Sequence, residues 1–230
     1  MAFLELTRVS FSYPKRGRRV LTEIDLALDR DEITAIVGPN GGGKTTLTKL
    51  MIGVLQPSGG QIRLDGRPLA GYSLGEIGRR VGYVFQNPDV QLFCGTVAEE
   101  IGFGLTNRGY KPEMVEERIQ FYLDYFELGV YRNVFPLHLS RGEKQRLAIA
   151  AVLANEPLFL ILDEPTAGLD AYRKKLLADY LQKIARLGRG MILVSHDEPF
   201  VGRMAERVVA LKDGRIQSDS GRKGNAAYEA

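Results

Sequence analysis

The run Gly38-Pro39-Asn40-Gly41-Gly42-Gly43-Lys44-Thr45-Thr46 constrains this chain more than any other stretch. Gly38, Gly43, Lys44 and Thr45 fit the spacing G-x-x-x-x-G-K-[ST], which carries weight only when a strand precedes it and a helix follows. Both are present in the pattern. Ile33-Thr34-Ala35-Ile36-Val37 closes a β-branched, apolar run from Glu32, and Leu47, Leu50 and Met51 fall at helical spacing within Thr46 to Ile52. Glycines let backbone N–H groups turn inward around phosphates, and the helix N-terminus adds positive partial charge. Lys44 then reaches the β and γ oxygens, and the Thr45 hydroxyl is placed for Mg²⁺. The expectation is a site for a nucleoside triphosphate, built from Gly38, Asn40, Gly41, Gly43, Lys44, Thr45 and Thr46.

A second site follows an apolar strand. Leu158-Phe159-Leu160-Ile161-Leu162 runs straight into Asp163-Glu164, and acids at the C-terminal end of a buried strand are where open α/β sheets build ligand sites. Neighbouring residues on a strand point to opposite faces, so the two carboxylates divide the work. Asp163 is expected to hold the metal, and Glu164 to orient or deprotonate an attacking water.

The remaining elements set the fold class. Leu4 to Phe11, Val20 to Leu28, Glu32 to Val37 and Gln61 to Leu64 read as strands. Helices are expected over Pro112 to Leu128, Glu143 to Ala154 and Tyr172 to Leu187, with apolar strands at Leu158 to Leu162 and Met191 to Ser195 between and after them. A last strand pair is expected at Val208 to Leu211 and Arg215 to Gln217, and the polar tail from Ser218 to Ala230 is expected to be loosely ordered. Apolar strands alternating with helices imply an α/β fold whose parallel sheet is covered on both faces, with a β-rich N-terminal part.

Charge excludes little by itself. A net charge of +3 does not mark a nucleic-acid binder, and the basic run Lys15-Arg16-Gly17-Arg18-Arg19 reads as a solvated hairpin turn. The sequence shows no run of about eighteen apolar residues and no signal-peptide pattern, so the expected place is the cytoplasm. A single cysteine, Cys94, excludes an intrachain disulfide and is expected to have no special role.

A third motif, Leu139-Ser140-Arg141-Gly142-Glu143-Lys144-Gln145-Arg146, opens an apolar helix. Ser140 and Glu143 form S-x-x-E, a capping box, and such a helix start beside a glycine can also receive an anion. With the two sites above, this segment resembles the signature of the ATP-binding cassette (ABC) ATPases, LSGGQ in the family pattern, and the resemblance covers nearly the whole chain.

That resemblance implies a P-loop NTPase cassette, a single domain over 1–230 with an N-terminal antiparallel part, a mixed or parallel core sheet and a helical subdomain at about 87–155. Tyr13 sits where the family stacks a ring on adenine. Gln86, in Phe85-Gln86-Asn87-Pro88, resembles the glutamine that meets Mg²⁺ and the attacking water; Ala167-Gly168-Leu169-Asp170 looks like the loop at the dimer interface; His196 looks like the switch histidine near the γ-phosphate. Catalysis is thereby expected from Lys44, Gln86, Glu164 and His196, and metal binding from Thr45, Gln86 and Asp163. Ser140, Gly142 and Glu143 are expected to bind nucleotide held by a second cassette, because in the family one subunit's phosphate loop faces the other's signature. Arg141 stands where the family has glycine and Glu143 where it usually has glutamine, departures that bear on the turnover of that composite site.

The segment Gln86 to Phe93, followed by Thr96 to Gly104, further resembles the energy-coupling-factor type of importer ATPase, which serves vitamins, cobalt or nickel. The resemblance implies ATP and Mg²⁺ as ligands, a like or unlike second cassette and separate transmembrane subunits as partners, and a place on the cytoplasmic face of the membrane. Leu92, Phe93 and Val97 are candidates for an apolar floor under a membrane subunit's helix, or for simple core. Longer relatives carry a C-terminal extension that aids dimerisation, a contact not expected here.

Overall fold

A computed structural model describes residues 2–14 and 19–221. The basic stretch 15–18 and most of the expected loose tail lie outside the described residues, while Arg19 opens the second strand.

The chain begins with β1 (Leu4–Ser12), β2 (Arg19–Leu28) and β3 (Ile33–Val37), then α1 (Lys44–Met51), β4 (Gly59–Leu64), β5 (Arg67–Pro68), α2 (Leu74–Gly78) and β6 (Val81–Val84). Three helices follow, α3 (Val97–Asn107), α4 (Pro112–Tyr125) and α5 (Arg141–Ala154). The remainder is β7 (Phe159–Asp163), α6 (Ala171–Arg186), β8 (Met191–Val194), α7 (Glu198–Met204), β9 (Arg207–Lys212) and β10 (Arg215–Asp219).

β2, β1, β4 and β5 form an antiparallel sheet in that order. The second sheet runs β10-β9-β3-β8-β7-β6, and all its neighbours are parallel except the β9–β10 hairpin. Side-chain alternation divides the core into two. Leu160, Leu162, Met191 and Leu193 face α3 to α6, and Phe159, Ile161, Ile192 and Val194 face the antiparallel sheet and α1. Strands buried on both faces are why their sequence is apolar throughout.

Two expectations are corrected. The helix expected to reach Leu128 stops at Tyr125, where Glu127 turns left-handed (φ 53°) and Leu128 N–H donates to Leu123 O at 2.7 Å while Glu127 N–H donates to Asp124 O at 3.2 Å. This is a Schellman ending with glutamate in the place glycine usually takes, and that glutamate meets Arg173 at 3.0 Å. The tail's first residues are ordered: β10 runs to Asp219, whose carboxylate receives two bonds from Arg207, at 2.8 and 2.5 Å. Helices α2, α3 and α7 and strand β6 have no counterpart in the sequence reading. β6 is only four residues long and contains Gly82, whose missing side chain makes room for Pro157 and Val152.

Candidate functional site

Because β9, β3, β8, β7 and β6 are parallel, their C-terminal ends share one edge, the place where open α/β sheets bind ligands. In spatial order that edge carries Asp213 after β9, the glycine loop after β3, His196 after β8, Asp163 and Glu164 at the end of β7, and Gln86 after β6. A cavity of about 520 Å³ opens there, lined by Tyr13, Asn40, Gly41, Gly43, Lys44, Thr45, Thr46, Gln86, Asp163 and Glu164 together with Arg19, Val20, Asp213 and Gly214. That volume suits a nucleotide-sized ligand.

The loop is held from behind. Gly38 has φ 138°, and a Cβ there would overlap the Leu211 carbonyl oxygen, so only glycine lets the loop pass β9. Gly38 therefore stands outside the cavity lining, in support of it. Lys44 Nζ donates to Gly38 O at 2.6 Å and to Pro39 O at 3.0 Å, folding the cation over its own loop. Tyr13 stands edge-on to Phe11 and its hydroxyl lies 3.2 Å from Thr46 Oγ1.

The two acids differ as their alternation requires. Asp163 is 1% exposed; its Oδ1 has no hydrogen-bond partner and its Oδ2 accepts from the Tyr83 hydroxyl at 3.4 Å. Burial, followed by the neighbouring Glu164 charge, pushes the Asp163 carboxyl above its ordinary range against an opposing hydrogen bond from Thr45. Burial pushes the Tyr83 phenol up as well, so it stays neutral and keeps its proton for Asp163, and its oxygen lies 2.9 Å from Thr48 Oγ1. Glu164 lies in the left-handed region (φ 52°), uncommon for a residue with a side chain and typical of constrained functional positions. Its Oε1 is 2.9 Å from His196 Nδ1, and the His196 ring is 79% exposed, bridging the buried acid to the surface.

Among the described residues no group of three or more His, Cys, Asp or Glu could hold a metal alone. A hard cation bound mainly through substrate phosphates needs fewer protein ligands, and the orphaned Asp163 Oδ1, on a carboxyl that the Thr45 hydroxyl also meets, fits that need.

Ser140, Gly142 and Glu143 stand outside this cavity. Ser140 caps α5 as the sequence indicates: Ser140 N–H donates to Glu143 Oε2 at 2.7 Å and Glu143 N–H to Ser140 Oγ at 3.4 Å. A hydrogen bond from Tyr131, then those from Ser140, hold the Glu143 carboxyl below its ordinary range. Gly142 packs on Gly168, where a Cβ would come 2.9 Å from the carbonyl oxygen, so this helix start is fitted to the Ala167–Asp170 loop of the same chain.

Sequence reading missed Tyr83, Asp213 and Gln91. Gln91 Oε1 accepts from Phe85 N–H at 2.9 Å and its amide reaches Ala148 O at 3.3 Å, tying the segment that carries Gln86 to α5; Lys144 and Asp89 do the same at 2.8 Å. An Asp-Gly pair between two strands was the available signal for Asp213. Of the candidate floor residues, Leu92 and Val97 are core, whereas Phe93 is 64% exposed and stacks edge-on against the exposed Phe103.

The fold and the glycine loop define a P-loop ATPase domain of the cassette type. Residues 21–167 match the family model described as "ABC transporter", and the chain belongs to that family. It is 44% identical over 203 residues to a putative ABC transporter ATP-binding protein of Methanosarcina acetivorans, covering 88% of this chain and 33% of that one. The chain thus spans about a third of that relative's length. It is 41% identical to the energy-coupling factor transporter ATP-binding protein EcfA of Methanothermobacter thermautotrophicus, covering 93% of this chain and 69% of that one. Among solved structures, cbiO1 of Clostridium perfringens, described as part of the ABC transporter complex cbiONQ, superposes with TM-score 0.80 at 33% identity over 96% of this chain and 89% of that one. The cassette MJ0796, solved as a dimer bound to ADP and Pi, superposes with TM-score 0.87 at 27% identity over 96% and 99%.

Proposed function

We propose that this chain hydrolyses ATP as one of a pair of cassettes and thereby powers an importer of the energy-coupling-factor type, for a vitamin or a transition metal, on the cytoplasmic face of a membrane. The observation that carries the hydrolysis is the buried, left-handed Glu164 bonded to His196 beside the glycine loop. Tyr13 packs on the base, and Lys44 leaves the Gly38 and Pro39 carbonyls for the β and γ oxygens. Glu164 Oε accepts the proton of a water that Gln86 helps to align with the γ-phosphorus, and His196, bonded to Glu164, fixes that carboxylate and meets the transferring group's charge. Thr45 and Asp163 would hold Mg²⁺, which when bound neutralises charge on the β and γ oxygens.

Ser140, Gly142 and Glu143 stand outside the cavity of their own chain, which supports closure by a second cassette's signature. Relatives named for EcfA and cbiO support the importer type, together with an apolar groove of about 340 Å³ whose exposed rim includes Val54, Leu74, Phe93 and Phe103. No helix among the described residues is long and apolar enough to cross a membrane; the transmembrane part of this reading is assigned to separate subunits.

The deciding experiment is ATPase rate against protein concentration, with Glu164→Gln as control and with membranes carrying candidate transmembrane subunits added. A rate rising faster than linearly, lost by about 10²-fold or more in the control, supports paired sites. Stimulation by membranes that Phe93→Ser removes while the basal rate persists supports the importer reading. A linear basal rate that no membrane fraction changes sinks it.

A further inference from the structure

Asp213 lines the nucleotide cavity, yet no role in phosphate transfer uses it. It precedes Gly214 in the two-residue turn joining β9 and β10, where Lys212 pairs with Arg215 and both turn residues are left-handed (φ 50° and 72°). A type I′ hairpin accounts for the pair Asp-Gly, but Asn-Gly satisfies that turn as well, so the charge is unexplained by the backbone. The turn is fastened to the site on two sides. Gly214 N–H donates to Gly42 O at 3.3 Å within the glycine loop, and Thr22 N–H donates to Gly214 O at 2.9 Å from β2. A Cβ on Gly214 would overlap the Val20 carbonyl, so hairpin, loop and β2 are in direct contact.

Strand order fixes which end of the ligand this turn meets. β9 flanks β3 on one side, and β8, β7 and β6, which carry His196, Glu164, Asp163 and Gln86, lie on the other. With the terminal phosphate directed at Glu164, the nucleoside extends across the loop toward β9, where Tyr13, Arg19 and Val20 line the same cavity. A carboxylate beside a polyphosphate is repelled, whereas a sugar diol offers two hydroxyl donors to an acceptor-only group. Asp213 is exposed, and no hydrogen bond or ion pair within the described residues engages its side chain.

We propose that Asp213 binds the ribose hydroxyls and makes this site select ribonucleotides, a reading that rests on the ATP site proposed above. The test is binding of ATP, 2′,3′-dideoxy-ATP and tripolyphosphate, each with Mg²⁺, to the full chain and to Asp213→Gly, which keeps the left-handed turn. The wild type should prefer ATP over the dideoxy compound by about tenfold or more, the size of at least one hydrogen bond to a charged group left unmade. In Asp213→Gly that ratio should approach one through weaker ATP binding, with tripolyphosphate bound as before; Asp213→Asn, suited to the same turn, should fall between. An undiminished ratio in Asp213→Gly, no preference in the wild type, or loss of tripolyphosphate in the variant each overturns the proposal. A wild type that binds neither ATP nor tripolyphosphate instead refutes the ATP site itself.

Discussion

Replacing Asp163 by Asn should stabilise the ligand-free protein and weaken its response to ligand, so the two effects carry opposite signs. Asp163 is buried at the end of β7, with Oδ1 unpartnered and Oδ2 receiving only a long bond from Tyr83 besides the Thr45 contact. A buried acceptor without a partner costs about 1–3 kcal/mol, more when charged. Asn keeps an oxygen for Tyr83 and removes the charge, so without metal or nucleotide a gain of about 1–2 kcal/mol is expected, raising Tm by roughly 2–8 °C in a domain of this size. Saturating ATP and Mg²⁺ should reverse the ranking. A ligand at a hundred times its Kd stabilises by about 2.7 kcal/mol, roughly 5–11 °C, and the Asn variant should lose most of this because the cation loses its carboxylate. Calorimetry of both proteins, in chelator and in Mg-ATP, reads the crossing directly. A lower Tm for Asp163→Asn in chelator would make the carboxylate a structural group, and equal stabilisation of both by Mg-ATP would remove it from the metal site; either refutes the reasoning.

Three further outcomes follow from the same geometry. Arg207 joins Ala27 O, Glu32 and Asp219, and Glu32 is 1% exposed on its side chain, so Arg207→Met strands a buried charge. It should cost about 3 kcal/mol, with Tm falling by roughly 6–12 °C, and the Arg207→Met/Glu32→Gln double variant should recover part of the loss in thermal melts. Hydrogen bonding to Arg207 holds the Asp219 carboxyl below the ordinary carboxylate range, so its contribution is complete above that range and disappears as pH falls through the depressed value. The stability difference between wild type and Asp219→Asn, worth about 1 kcal/mol or less for this partly exposed pair, should be constant from pH 7 to 5 and vanish in acid titrations below about pH 4. Gly38→Ala should destabilise the fold by about 2 kcal/mol or more, with Tm falling by roughly 4–8 °C, since the strained φ and the overlap with the Leu211 carbonyl each cost at least about 1 kcal/mol; an unchanged Tm in thermal melts would contradict the packing argument.

Much of the site was legible because its chemistry is local in sequence. Lys44, Thr45 and the loop glycines are adjacent, and Asp163-Glu164 and Ser140-x-x-Glu143 carry their own spacing. Elements that depend on neighbours were not. β6 is four residues long with a glycine in it, and becomes a strand only because β7 pairs with it. Leu92, Phe93 and Val97 are alike apolar, yet only Phe93 faces outward, while Leu92 and Val97 are buried in the same core cluster as Ile101 and Leu147. α4 ends on Glu127 in a left-handed turn that arginines from α5 and α6 help to hold.

By itself the sequence determined the phosphate loop, the acid pair after a buried strand, the capped helix and the family they belong to. The tertiary structure decided how these are ordered in space. The parallel register of β9, β3, β8, β7 and β6 brings five chain segments to one edge, sets His196 against Glu164 at 2.9 Å and leaves Asp163 Oδ1 without a partner. The same register puts Asp213 on the far side of the loop from the acids. The reason is physical: a motif records which groups are covalently near, whereas burial, pairing and the order of strands arise only when distant segments exclude water together.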